Sequence, residues 1–285
     1  MKRFDSLPKI AISLLALGTL LAVSGYLMGG WNQLKEVTSQ YRQQTNVSFS
    51  DVSSIDINGS ISILPSDDNQ FHLYYYRNQH HQTNLTNYQL TDGKLVIKDQ
   101  GQDVSESLFD QFFSFYHQTP DTSYQPVLYV PKGRQLDKLS GLIIGDVHLK
   151  KLQIDLLDLS IQKGKTVIED SQIDSIALSI LDGDLVLEDT RLDSQTTSES
   201  QFISTIYLTL GQLTANNLTL AGHHDIMVLK GDTHIQLKED SKQTLHVEAY
   251  SESGQVILPQ TQTQTQTQAQ TQLILFSKQG DILVE

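Results

Sequence analysis

The chain has 285 residues, of which 38% are hydrophobic and 7% aromatic, and its formal net charge at pH 7 is −13. This acidic balance repels nucleic acid phosphates, so no nucleic acid partner is expected. The chain contains no cysteine, which excludes disulfides, thiolate metal sites and cysteine nucleophiles; exported proteins of Gram-positive bacteria are often cysteine-poor in this way.

The N-terminal segment predicts a membrane anchor. Residues 1–9 form a basic cytoplasmic flank, and residues 10–30 contain no charged side chain. As a helix, the apolar run over residues 10–28 would be about 28 Å long, which matches the hydrocarbon core of a bilayer. The positive flank places the N-terminus in the cytoplasm and the following domain outside, as in a single-pass signal anchor of the cell membrane. A cleaved signal peptide is the alternative, although the apolar run continues past the small residues Ala22–Ser24.

Residues 31–48 are polar and predict a stem that leads into an extracytoplasmic, extracellular domain over residues 49–285. At about 3.3 Å per residue, a fully extended stem would reach roughly 60 Å. This reach favours partners in the cell envelope over distant receptors.

A recurring Gly-x-Φ-x-Φ step, in which Φ is usually aliphatic, predicts turns followed by strands with one apolar face. Alternating apolar residues also precede several of these glycines, as at Leu157, Leu159 and Ile161 before Gly164. From the third step onward the glycine spacings are 19, 19, 28, 20, 23 and 26 residues, a unit near 20 that is typical of a solenoid. The nine glycines are Gly59, Gly93, Gly145, Gly164, Gly183, Gly211, Gly231, Gly254 and Gly280.

We therefore predict an all-β fold, a β-solenoid or β-roll of roughly 20-residue repeats that follows one transmembrane helix. Each strand pair buries its apolar face only by stacking on its neighbours, and glycine provides the positive φ of the turn. A β-sandwich of long hairpins is the structural alternative.

Two kinds of motif carry a family resemblance: the strand Val127–Val130 that closes in Pro131-Lys132-Gly133, and the step Gly145-Asp146-Val147 with its echoes at Gly183-Asp184 and Gly231-Asp232. With them, the chain resembles the bacterial putative-adhesin family of β-strand-repeat, membrane-anchored envelope proteins of unknown function, over roughly residues 50 to 285. The resemblance implies a role at the cell envelope, either in adhesion or in envelope stress. It transfers no catalytic residue.

Two inserts interrupt the repeat. In residues 103–118, the aromatic side chains recur at i, i+3, i+4 and i+7 on one face of a short predicted helix, which covers the open end of the solenoid, contacts a partner or contacts the outer leaflet of the membrane. Residues 260–272 are a glutamine-threonine tract, predicted to be a flexible loop or an extended hairpin, with an exposed binding loop as the alternative. The candidate partner contacts in the first insert are Phe109, Phe112, Phe113 and Tyr116.

No catalytic, cofactor-binding or metal site is expected. Stacked aspartates at Asp146, Asp184, Asp232 and Asp281 would suit calcium, but Asp after Gly is an ordinary turn choice and the calcium-binding nonapeptide is absent. The pairs His80-His81 and His223-His224 are adjacent, so their side chains splay and are expected on the surface. The carboxylates Glu169, Asp170, Glu188 and Asp189 recur with the repeat, as a solvated face does, whereas an active site departs from the repeat.

The sequence thus predicts a non-catalytic module that binds at the cell envelope. It is held at the cytoplasmic membrane by residues 10–30, and its envelope or surface partner is unknown. A surface adhesin and a polysaccharide-active β-solenoid enzyme are the alternatives.

Overall fold

The computed structural model describes residues 7–29, 42–59, 61–78, 86–99, 125–194, 204–242, 245–259 and 271–285. The described residues form two compact units, of which one comprises residues 7–29, 42–44 and 77–78 and the other the remaining described residues. The first contains helix α1, Leu7–Leu27. Among the described residues, no helix meets the length and apolarity that a membrane crossing requires.

The second unit is built mainly from two sheets of parallel strands, and a four-residue helix, α2, spans Glu239–Lys242. Strand β1, Arg42–Phe49, includes the last residues of the predicted stem. The strands of sheet A are β3 (Ile61–Ser66), β4 (Phe71–Asn78), β7 (Val127–Pro131), β9 (Val147–Lys150), β11 (Thr166–Glu169), β13 (Leu185–Glu188), β16 (Leu213–Ala221), β18 (Thr233–Leu237), β20 (Val256–Ile257) and β22 (Ile282–Val284).

Sheet B supplies the other face of each turn of the stack. Its strands are β2 (Ser54–Asn58), β5 (Thr86–Thr91), β6 (Lys94–Asp99), β8 (Gln135–Ile144), β10 (Gln153–Lys163), β12 (Gln172–Asp182), β14 (Arg191–Asp193), β15 (Ser204–Leu210), β17 (His223–Lys230), β19 (Leu245–Ser251) and β21 (Thr271–Gln279).

The strands stack in the register that the sequence repeat predicts. Leu157 of β10 lies beside Ile176 of β12, and Leu159 lies beside Leu178, so that equivalent residues 19 positions apart are neighbours. These side chains are at most 2% exposed and belong to one continuous hydrophobic cluster. Burying each such Leu or Ile contributes about 1.5–3 kcal/mol. The all-β, solenoid-like prediction is therefore confirmed.

The corner glycines form a column that joins sheet B to sheet A. Eight of the nine predicted glycines have positive φ, including Gly183 at 156°. A Cβ at Gly183 would lie well under 3.0 Å from the backbone oxygen of Gly164 in the preceding turn. Only glycine allows the turns to approach each other this closely, which explains why the residue recurs with the repeat.

At the C-terminal end, the order of stacking differs from the order of the chain. Thr233 of β18 pairs with Ile282 of β22, 49 residues later, and β22 in turn pairs with β20. Strand β21 likewise lies between β17 and β19. The glycine spacings of 23 and 26 residues were therefore wrong as predictions of which turns are neighbours in the stack. The last strands of the chain are an inner layer, and β19 and β20 stack outside them.

At the N-terminal end, the step at Gly93 is not a repeat corner. Asp92 and Gly93, with φ of 49° and 76°, form the tight turn of the antiparallel hairpin β5–β6. An Asp-Gly pair with two positive φ values is the favoured sequence for such a turn. Strand β5 pairs antiparallel with β6, and β4 pairs antiparallel with β7, so neither β6 nor β7 leaves a bare parallel edge.

Candidate functional site

The aspartates that follow the corner glycines link successive turns of the stack. Each carboxylate accepts a hydrogen bond from a backbone N–H of the neighbouring turn, an arrangement that charge assistance makes stronger than a neutral hydrogen bond. The four bonds run from Lys165 N to Asp146 Oδ1 at 2.8 Å, from Gln212 N to Asp184 Oδ1 at 2.9 Å, from Asp281 N to Asp232 Oδ1 at 2.9 Å, and from Gln255 N to Asp281 Oδ1 at 2.8 Å.

This column of aspartates is therefore a structural element that fixes the spacing of the turns. Within the described part of the chain, no group of three or more His, Asp or Glu residues is arranged to hold a metal ion.

A second column of corners follows the strands of sheet A. Its members are non-glycine residues with positive φ between 47° and 56°, namely Lys151, Asp170, Asp189 and Asn217. Asn217 Nδ2 donates to Asp189 Oδ1 at 3.1 Å. Asp170 and Asp189, which the sequence singled out as recurring carboxylates, thus occupy left-handed corners, a conformation that Asp and Asn tolerate better than most residues.

Glu169 lies on the outer face of sheet A and is held as a carboxylate. Lys150 Nζ lies 2.7 Å from Glu169 Oε2, and His148 Nε2 lies 3.3 Å from Oε1. The hydrogen bond from Lys150 is the main reason that the pKa of Glu169 is lowered. A glycosidase needs one carboxyl with a raised pKa as its general acid, so Glu169 is held in the wrong state for that role.

The histidine pair His223-His224 divides between the two faces of β17. His223 points outward and lies 3.0 Å from Asp225 Oδ1. His224 is only 1% exposed, so the expectation of a surface residue was wrong for this position. The reason is that adjacent residues on a strand point to opposite faces, and one member of the pair must enter the core.

His224 is held there as a neutral side chain. Its Nε2 donates to the Ala221 carbonyl at 2.9 Å, whereas Nδ1 has no hydrogen-bond partner among the described residues. Burial is the main reason that the pKa of His224 is lowered. Nearby, Arg191 Nε contacts Asp193 Oδ2 at 2.8 Å, and this carboxylate raises the pKa of Arg191.

Two predicted features lie outside the described residues. One is the aromatic insert with Phe109, Phe112, Phe113 and Tyr116, and the other is the pair His80-His81. Of the glutamine-threonine tract over residues 260–272, the described part consists of Thr271 and Gln272, which begin β21. The proposed roles of these segments stay predictions.

The outer face of sheet B carries an apolar row that sequence reasoning missed. In register along four neighbouring strands lie Tyr207, Met227, Phe276 and Tyr250. We call these four residues the aromatic row. The rings of Phe276 and Tyr250 stack, with centroids 5.9 Å apart and planes at 26°. Contiguous exposed apolar surface of this kind marks interaction sites more often than scattered apolar residues do.

A small cleft lies on sheet A. It has a volume of about 160 Å³, below the 300–1,000 Å³ typical of small-molecule sites. The residues that line it are Ser62, Gln125, Asp146, Val147, His148, Lys165 and Val167. Asp146 is already bonded to the backbone of Lys165, so the cleft offers little free chemistry.

Residues 142–285 match the model of the Toastrack DUF4097 family. The chain belongs to this family. The match extends from the end of β8 to the C-terminus and includes the aromatic row and the four aspartates of the corner column. The stretch Val127–Gly133, on which the resemblance partly depended, precedes the matched toastrack region.

Solved structures similar to this toastrack chain include three bacterial proteins. A putative adhesin from Parabacteroides distasonis has a TM-score of 0.44 and 13% identity, covering 85% of this chain and 96% of its own. A putative adhesin from Bacteroides fragilis has a TM-score of 0.43 and 13% identity, covering 85% and 97%. A putative cell adhesion protein from Clostridium sporogenes has a TM-score of 0.38 and 8% identity, covering 85% and 98%. Among curated proteins, none matches this sequence.

Proposed function

We propose that this toastrack protein is a non-catalytic binding module of the cell envelope. The observation that carries the proposal is the aromatic row, an exposed apolar strip on an otherwise acidic molecule with a net charge of −13. The recurring polar residues support the same conclusion. The aspartates bond the turns together, and Glu169 is paired with Lys150, so these side chains serve the scaffold.

The location is part of the proposal. The uncharged run over residues 10–30 and the basic flank before it support a single-pass anchor in the cytoplasmic membrane with the β domain outside. A short polar stem would keep the domain near the membrane. Envelope material is then the nearest binding partner, ahead of a receptor on another cell.

A sedimentation experiment tests binding. The full chain, kept in solution by a mild detergent, is mixed separately with purified cell walls and with membranes from a Gram-positive bacterium, and the pelleted protein is measured. We expect the chain to pellet with at least one envelope fraction. The variant Tyr207→Ala/Tyr250→Ala should pellet less, whereas Tyr129→Ala, on the outer face of sheet A, serves as the matched control.

The same mixtures test for catalysis. We expect no release of soluble sugar fragments above that of the variant Glu169→Gln/Glu188→Gln. Fragments that form with the wild-type chain and disappear with this variant would overturn the non-enzyme proposal.

Protease treatment of intact cells tests the location of the β domain. Cleavage of this domain from outside the cell is expected only if the domain is exported. Cleavage in cells with an intact wall would favour the adhesin alternative.

A further inference from the structure

The aromatic row is straight and periodic. Tyr207 of β15 lies beside Met227 of β17, which lies beside Phe276 of β21, and Tyr250 of β19 follows. Tyr207, Met227 and Tyr250 are 37%, 38% and 60% exposed. Because neighbouring strands are about 4.8 Å apart, the row extends about 14 Å along the stack and repeats at the strand spacing. A ligand that follows it must be linear and must repeat on a similar scale.

Polar side chains border the row. The adjacent row of the same outer face contains Thr205, Asp225, Ile274 and Glu248 in register. The side chains of Asp225 and Glu248 are 43% and 57% exposed, and each has a histidine nitrogen 3.0 Å away. The strip therefore combines apolar contact area with hydrogen-bond acceptors at its edge.

This combination discriminates between classes of partner. An apolar protein face that covered the row would desolvate the carboxylates of Asp225 and Glu248 without offering them a hydrogen-bond donor, which is unfavourable. An anionic lipid surface or anionic polymer would be repelled by these carboxylates and by the net charge of −13. A neutral sugar chain meets both requirements, since its rings offer apolar C–H faces to aromatic side chains and its hydroxyls donate to carboxylates.

We infer that the aromatic row binds a neutral polysaccharide chain that lies along the stack. This inference rests on the proposed function and adds the site and the class of ligand. Tyr207 and Tyr250 make the ring contacts, and Asp225 and Glu248 accept hydrogen bonds from sugar hydroxyls. The site holds the sugar chain without forming or breaking a covalent bond.

Sedimentation with defined polymers tests the ligand class. The probes are insoluble cellulose and insoluble chitin, both neutral polysaccharides. We expect the full chain in mild detergent to pellet with at least one of them, and Tyr207→Ala/Tyr250→Ala to reduce its apparent affinity at least tenfold. Tyr129→Ala should retain wild-type affinity. Equal urea unfolding midpoints for the variants ensure that a loss of binding is not a loss of fold.

Thiol labelling tests the site directly, because the native chain has no cysteine. Met227→Cys places one thiol in the aromatic row, and Thr214→Cys places one on the outer face of sheet A as a control. We expect the bound polymer to slow labelling at position 227 at least tenfold and to leave labelling at position 214 unchanged. A thiol at position 227 that is unreactive without polymer would contradict an open site and overturn the inference.

The remaining outcomes separate the two proposals. Binding to cell walls or membranes without binding to any neutral polymer would overturn the inference and leave the proposed function in place. Failure to bind any envelope fraction would overturn both. Protection of position 227 that rises with protein concentration alone would assign the row to a second copy of the chain, and neutral-lipid vesicles that protect it would assign it to a membrane; either result overturns the polysaccharide inference.

Discussion

Replacing Gly183 by alanine tests the central physical claim about the fold, that the stack requires a column of glycines at its corners. The φ of Gly183 is 156°, and an added Cβ would lie well under 3.0 Å from the backbone oxygen of Gly164. A non-glycine residue in such a region costs about 1–3 kcal/mol. Forcing a methyl group against a backbone atom costs about 1–3 kcal/mol more. The expected loss is therefore about 2–6 kcal/mol, a large part of the stability of an ordinary domain.

The assay is urea unfolding of the full chain in mild detergent, followed by the β signal in circular dichroism. Gly133→Ala is the matched control, because Gly133 also has positive φ, 73°, but an added Cβ would have no atom within 4 Å. The control should lose only about 1–2 kcal/mol. Equal losses for the two variants would refute the claim that close approach of neighbouring turns, beyond the backbone conformation itself, demands glycine.

Three further predictions concern single contacts. Asp184→Ala removes a carboxylate that accepts a backbone hydrogen bond at an exposed corner, so we expect a loss of about 0.5–1.5 kcal/mol in urea unfolding, whereas Asp182→Ala, at a similarly exposed position, should change little. Burial lowers the pKa of His224, so its neutral form contributes fully to stability above a pH of about 6.5, and this contribution is lost as the pH falls through the folded-state pKa. His224→Gln should therefore show a smaller drop in urea unfolding midpoint between pH 7.5 and 5 than the wild type does. Equal drops would contradict the buried, neutral state of His224. Glu169→Gln breaks a partly exposed pair with Lys150, and double-mutant cycles in urea should give a small favourable coupling that high salt weakens.

The regular part of the fold could be predicted from the sequence, because the pattern that indicates each strand and turn is local and is repeated along the chain. Alternating apolar residues such as Leu157, Leu159 and Ile161 indicate strands, and the glycine that follows indicates the turn. Each repeat supplies the same indication, so the register between strands 19 residues apart followed directly. The structure places these side chains in one core.

The strand order at the two ends of the stack could not be predicted from the sequence, because it depends on pairing between distant segments. Nothing near Gly254 or Gly280 in the sequence reveals that β22 pairs with β18 across 49 residues while β20 stacks outside it. At the other end, the Asp92-Gly93 turn resembles a repeat corner because a hairpin and a solenoid corner both require positive φ. A local pattern cannot distinguish between them.

The role of the aspartates could be predicted only in part from the sequence. Their position after glycine is visible in the sequence, and it fits both a turn residue and a stacked acidic ladder. What decides between these readings is the partner of each carboxylate. For Asp184 that partner is the N–H of Gln212, 28 residues away, so only the stacking of the turns reveals the bond.

The aromatic row differs in residue type from the earlier turns of the stack. Along the same row of sheet B, the preceding positions are Ser160 and Ser179, and the large side chains begin at Tyr207, after the 28-residue spacing. Its four members each stand four positions before a repeat glycine, and Phe276 lies between Met227 and Tyr250 in space although it follows both in the chain. The periodic residues build the scaffold. The positions at which large side chains replace the serines of the earlier turns, on the outer face of four neighbouring strands of sheet B, therefore form the surface on which the proposed binding function would depend.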